Sequence, residues 1–166
     1  MDFSLEKKIW WGYLGKDLQE LLHEAVLLVE KVNLWDEKFH DYSFVVFPAA
    51  KAYEGFLKRI FLDRGFIDSG DYYGKRFRVG KALNPSLERR LRKKESVYDR
   101  IVKFCGGRDL ADKMWDTWKS CRNLLFHWFP NEKNAIDFSE AKERVSLVIE
   151  TIDATFKGCK MKEIEK

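Results

Sequence analysis

The stretch Leu14-Gly-Lys-Asp-Leu-Gln-Glu-Leu-Leu-His-Glu-Ala-Val-Leu-Leu-Val29 sets the fold class. Leu14, Leu18, Leu21, Leu22, Ala25, Val26 and Val29 recur at helical spacing with charges opposite. That is the pattern of an amphipathic helix with one face in a core. The spacing predicts a long helix over 6–33, weakened in its first turns by Gly12 and Gly15. Working outward, a second helix is expected over 42–64, with Ser43 as a cap and Gly65 as a stop. Pro48 falls inside it, so the helix either starts there or kinks there. Residues 68–83 hold Ser-Gly-Asp, Gly74 and Gly80, and read as an irregular connection with a possible short hairpin arm over 72–79. Asn84-Pro85 opens a third helix, with Pro85 at its first position, reaching Cys105 with a break near Ser96. Gly106-Gly107 ends it. A fourth helix runs over 108–128 before Pro130-Asn131. A fifth runs from Ser139 to about Phe156 with a stripe of Ala141, Val145, Val148, Ile149 and Ile152. No repeat or linker divides the chain. The expectation is an all-α, single-domain bundle of about five helices over 1–157, with a frayed Lys/Glu-rich tail over 158–166.

Composition agrees with a folded domain. Of 166 residues, 45% are hydrophobic and 35% charged, with only 3 Pro and 10 Gly, which excludes collagen-like and largely disordered chains. The longest strictly apolar run, Phe44 to Ala50, contains Pro48, so no membrane span is expected. The first fifteen residues mix charges with aromatics, and no signal peptide is expected. Cys105, Cys121 and Cys159 form no Cys-x-x-Cys and no Cys/His cluster, so zinc and a disulfide framework are not expected. The cysteines read as reduced thiols of a cytoplasmic protein.

Charge is unevenly placed. Lys75, Arg76, Arg78, Lys81, Arg89, Arg90, Arg92, Lys93 and Lys94 face one acid, Glu88, so the 75–94 segment carries +8 of a net +4. The rest of the chain is −4. Such a patch suits a polyanion such as RNA, or is simply a solvated helix face. Lys75, Arg76, Arg78, Arg89, Arg90, Lys93 and Lys94 are the candidate RNA contacts, with Tyr72 and Tyr73 as possible stacking partners.

The most informative segment is Cys121-Arg-Asn-Leu-Leu-Phe-His-Trp-Phe-Pro130. On a helix, Arg122 falls on the apolar seam of Ala111, Met114, Trp115, Trp118, Leu125 and Trp128. A guanidinium there keeps its proton and needs an anion. Glu54 interrupts the apolar line Phe47, Ala50, Leu57, Phe61 on the second helix, and an ion pair between the two seams is expected. Asn123 and His127 are i, i+4 and are expected to share a helical face. In an ideal helix Arg122 and His127 point about 140° apart. They converge if the helix ends near His127 or if two chains contribute. His23 reads as an ordinary helical residue and His40 as a turn residue beside Asp41.

Arg122-Asn123…His127 resembles the Arg-x(4–6)-His signature of HEPN ribonucleases. With Phe44-Val-Val-Phe-Pro-Ala-Ala-Lys-Ala-Tyr-Glu-Gly-Phe-Leu-Lys58, it is similar to the catalytic domain of RnlA/LsoA-type toxins, over about residues 44–156. The resemblance implies a HEPN-like bundle and an endoribonuclease leaving 2′,3′-cyclic phosphate and 5′-OH ends. It also implies a homodimer around a shared cleft and a protein antitoxin. Arg122, His127 and Asn123, with Glu54 on the earlier helix, would be the catalytic set. Many such toxins carry a Tyr two residues after the His that the antitoxin modifies. Phe129 stands there, which favours a partner that occludes or separates the site. The residues themselves fit this chemistry without metal or cofactor. An imidazole can move protons near neutral pH, a guanidinium can hold a phosphate in a fork, and Glu54 can position it. Two rivals remain: a non-catalytic HEPN-like module that binds RNA or a nucleotide through 75–94, and a structural dimerisation bundle whose Glu54–Arg122 pair is internal.

Overall fold

The first long helix begins at Lys16 rather than Glu6. In the computed structural model, which describes residues 3–158, Leu5–Lys7 and Trp11–Tyr13 are separate 3₁₀ turns, and α1 spans Lys16–Lys31. Gly15, in extended backbone, takes the N-cap. Separate turns let Leu5, Trp10 and Leu14 all enter the core, and Trp10 Nε1 donates to Asp153 Oδ1 at 3.2 Å.

Helix α2, Ser43–Asp63, passes through Pro48, five residues after its start. Of the two expectations for Pro48, the later start is therefore corrected. Ser43 does not cap the helix. Asp41 does that work: its carboxylate accepts from Ser43 N and Ser43 Oγ, both at 2.9 Å. The same carboxylate accepts from Ile136 N at 3.3 Å, tying the start of α2 to a distant loop.

The 68–83 connection holds two short helices, α3 (Ser69–Tyr73) and α4 (Val79–Ala82), separated by bends. No strand occurs among the described residues, so the hairpin arm is not formed. The third helix starts later than expected, because Asn84 Oδ1 accepts from Ser86 N at 2.8 Å and holds Pro85 in a turn. It divides at Ser96 into α5 (Arg89–Glu95) and α6 (Val97–Cys105), since the Ser96 hydroxyl caps Asp99 N at 3.0 Å. Gly106, at φ 69°, closes α6 in the left-handed region that favours glycine.

Helix α7 is Asp109–Trp118, followed by a single π turn over Lys119–Asn123. Its α-helical part is thus about half the expected length. Helix α8, Phe138–Lys157, opens on a reciprocal capping box between Asp137 and Glu140 rather than at Ser139. Eight α-helices among the described residues replace the expected five. The split at Ser96 and the two short helices of the connection account for the difference.

Helix α2 is central. Helices α1 and α8 flank it, α7 lies on α8, and the π turn touches both α2 and α8. Two buried hydrogen bonds set the register around the later site. Tyr53 Oη donates to Met114 O at 3.0 Å, joining α2 to α7, and Thr117 and Thr151 hydroxyls meet at 2.8 Å, joining α7 to α8. Burial pushes the Tyr53 phenol well above its ordinary range. No helix among the described residues is long and apolar enough to cross a membrane. The expected tail over 158–166 lies almost wholly outside the described residues. Cys105 is disulfide-bonded, whereas Cys121 is a buried free thiol. Three reduced thiols were expected; chain spacing does not reveal which cysteines folding brings together.

Candidate functional site

The site is built where α7 stops being α-helical. Leu124 N donates to Lys119 O at 2.9 Å, a bond across five residues instead of four. This wider turn delays Arg122 around the axis, and such insertions recur at functional sites. After Asn123 the chain leaves the helix in turns, so His127 lies beyond it. The expectation that Asn123 and His127 share a helical face is therefore corrected. The sequence signal for an early end, Pro130, lies seven residues too late to locate it.

Arg122 and Glu54 do meet. Arg122 Nε lies 3.5 Å from Glu54 Oε2, and both side chains are 36% exposed. The pair sits at the edge of the bundle rather than in its core. At 3.5 Å it is longer than a charge-assisted hydrogen bond of about 2.7–2.9 Å, and Nε is buried without a hydrogen-bond partner. A half-exposed pair of this kind contributes under about 1 kcal/mol to stability. It orients more than it stabilises.

Rings complete the setting. Arg122 Cζ is 5.9 Å from the Trp118 ring centre and 5.6 Å from that of Phe126. Phe126 packs edge-to-face on Phe47 at 5.4 Å, and Lys51 Nζ lies 5.7 Å from the Phe47 ring. Two cations and three aromatic rings thus form a continuous series from Lys51 to Trp118, each cation within the range of cation–π attraction. Phe47, expected in the apolar line of α2, is exposed, and Trp128 is 77% exposed instead of lying on the α7 seam. Trp128 lies beyond the end of the helix, in the irregular chain after Asn123.

His127 is exposed, and its imidazole makes no hydrogen bond or ion pair among the described residues. Asn123 is also exposed, and no hydrogen bond joins it to His127 or Arg122. Within the chain, the catalytic candidates come together as one contact pair, Glu54 with Arg122, and two accessible side chains, Asn123 directly after Arg122 and His127 further along.

The basic candidates lie on α5 and the bend before α4. Lys75, Arg76, Arg78, Arg89, Lys93 and Lys94 are exposed and carry no ion pair among the described residues. Arg90 pairs with Glu88 at 2.7 Å. Arg92, although in the same run, is held by Asp99 through bonds of 2.9 and 2.6 Å. That clasp, chiefly its hydrogen bonds, holds the Asp99 carboxyl below the usual range. Lys81 of α4 pairs with Glu95 of α5, and a Cβ at Gly80 would lie 2.5 Å from Trp118 Nε1. Only glycine permits this approach. The basic segment is thereby seated against the tryptophan that neighbours Arg122.

Two side chains unmarked by periodicity or motif hold the unwound segment. Arg144 of α8 donates from Nη1 to Ser120 O at 2.7 Å. Asn134 Nδ2 donates to Leu124 O and Leu125 O, each at 3.3 Å, and to His127 O. A cleft of about 220 Å³ lies behind this segment, and a groove of about 620 Å³ runs along α7 and α8 with Asp109, Asp112 and Asp116 on its rim. Neither is lined by Arg122, Glu54 or His127. Arg122 and Glu54 are partly exposed and Asn123 and His127 exposed, so the candidate residues lie at the surface. The chain matches no protein-family model, no curated protein and no solved structure.

Proposed function

We propose that the chain is a metal-independent endoribonuclease of HEPN type that works as a homodimer, the toxin of a toxin–antitoxin or phage-defence system. The observation that carries this reading is Arg122. The Glu54 carboxylate lies beside its Nε and two rings face its Cζ, while its terminal nitrogens make no hydrogen bond among the described residues. A guanidinium held this way presents a planar fork suited to a phosphodiester.

In the proposed step the substrate's 2′-oxygen bonds to phosphorus and the bond to the 5′-oxygen breaks. One proton leaves the 2′-hydroxyl and one reaches the departing 5′-oxygen, giving 2′,3′-cyclic phosphate and 5′-OH ends. His127 serves as proton acceptor or donor. Arg122 holds the phosphate and stabilises its developing charge. Glu54 positions Arg122, and Asn123 contributes a polar contact to the phosphate. Each chain offers one such imidazole for two proton transfers. A second copy supplies the other across a symmetric contact near Trp128 and Phe129. The exposed bases on α5 and before α4 gather the RNA electrostatically. With Phe129 lacking a hydroxyl, a protein antitoxin would act by covering or separating the site.

The test is cleavage of total RNA in EDTA by purified protein. Arg122→Ala and His127→Ala each lower cleavage by about 10²–10³-fold, with melting temperatures near that of the wild type. Mixing the two variants restores part of the activity if the cleft is shared. Full activity in His127→Ala overturns the reading, as does activity lost in EDTA and restored by a metal. Wild-type protein that binds RNA without cleaving it favours the non-catalytic module instead.

A further inference from the structure

The end of an α-helix leaves carbonyls without intrahelical partners, and these must be satisfied elsewhere. The π turn adds to the problem. Leu124 N bonds to Lys119 O, so Ser120 O loses the donor that a continued α-helix would supply. Arg144 Nη1 takes its place at 2.7 Å. Leu124 O, Leu125 O and His127 O lie beyond the helix and converge on the single side-chain nitrogen of Asn134. Three acceptors around one atom require it to be the amide NH₂. The two clasping residues come from different elements. Arg144 stands on α8 and Asn134 in the loop before it, and both line the same small cleft behind the segment.

From this we infer that Asn134 and Arg144 are positioning residues that clasp the unwound segment 120–127 from behind and fix where Arg122 and His127 face solvent. Neither side chain bonds to that of Arg122 or His127, so both act through the backbone. The clasp explains how a segment with little regular structure can hold a site open at the surface. Its catalytic consequence rests on the ribonuclease reading; its structural consequence does not.

Both consequences are measured together. In Asn134→Ala and in Asn134→Asp, which turns a carboxylate toward three carbonyls, the Leu124 amide, bonded to Lys119 O in the wild type, should exchange with solvent at least about tenfold faster. Amides of α7 and of α8 beyond its first turn should keep their rates. Single-turnover RNA cleavage should fall at least about tenfold with RNA affinity changed less than threefold. Arg144→Met should behave in the same way, and Arg144→Lys, which keeps a donor, should recover most of the rate. Unchanged exchange at the Leu124 amide overturns the clasp, whatever the chain does to RNA. Accelerated exchange with an undiminished cleavage rate overturns the positioning role. If the wild type and Arg122→Ala leave RNA equally intact, the ribonuclease reading fails and the exchange rates alone decide the clasp.

Discussion

Replacing Gly80 with alanine tests the contact that seats the basic segment beside Arg122. An added Cβ falls 2.5 Å from Trp118 Nε1, 3.3 Å from Cε2 and 3.5 Å from Cδ1. Comfortable contact begins near about 3.5 Å, so the closest overlap is about 1 Å. Trp118 is only 7% exposed, and its fused rings cannot bend at the tip, so the indole or the whole of α4 must move. Overpacking of this kind costs about 1–3 kcal/mol. Alanine regains up to about 1 kcal/mol over glycine in a helix, only partly so in a helix as short as Val79–Ala82. The net loss is about 1–2 kcal/mol. At about 2–4 °C per kcal/mol for a chain of this size, the melting temperature falls by about 2–8 °C. Circular dichroism melts measure it directly. Gly107→Ala is the control, because a Cβ there meets nothing within 4 Å and should leave the melting temperature level or higher. The decisive comparison is Gly80→Ala in a Trp118→Leu background, where removing the indole should abolish most of the penalty. A Gly80→Ala protein that melts at or above wild type refutes the reasoning. So does a penalty equally large without the indole.

Tyr53→Phe removes the hydroxyl that joins α2 to α7 and should cost about 1 kcal/mol, read from the urea midpoint at unchanged slope. Replacing Arg89, Arg90, Lys93 and Lys94 with Gln should flatten the salt dependence of RNA affinity, since fewer counterions are released; an unchanged slope returns α5 to a solvated face. The Asp99 carboxyl is held low in the fold by Arg92, so it favours folding above the ordinary aspartate pKa near about 4. That contribution is lost as pH falls through the lowered value. As pH falls below about 4, the wild type should therefore lose stability more steeply than Asp99→Asn, and parallel urea midpoints for the two would contradict this.

The local signals carried the helices whose causes are local. The apolar spacing of α1 and α8 and the stop at Gly106 were legible because periodicity and left-handed backbone act within a few residues. The same holds for Glu54 and Arg122 as charges out of place on apolar seams, an anomaly visible without coordinates. Boundaries set by distant partners were not legible. The start of α2 depends on Asp41, whose carboxylate also holds Ile136, and the carbonyls of the π turn and of the segment after it find their donors in Arg144 and Asn134. Charge counting likewise could not separate Arg92, spent on Asp99, from its free neighbours Lys93 and Lys94. Sequence by itself determined that this protein is helical and where its unusual charges lie. Tertiary structure decided where α7 ends, that Gly80 meets Trp118, and that Glu54 meets Arg122 at the surface. Helix propensity sums over near neighbours, whereas a buried carbonyl or a close approach is satisfied by whatever residue folding brings to it.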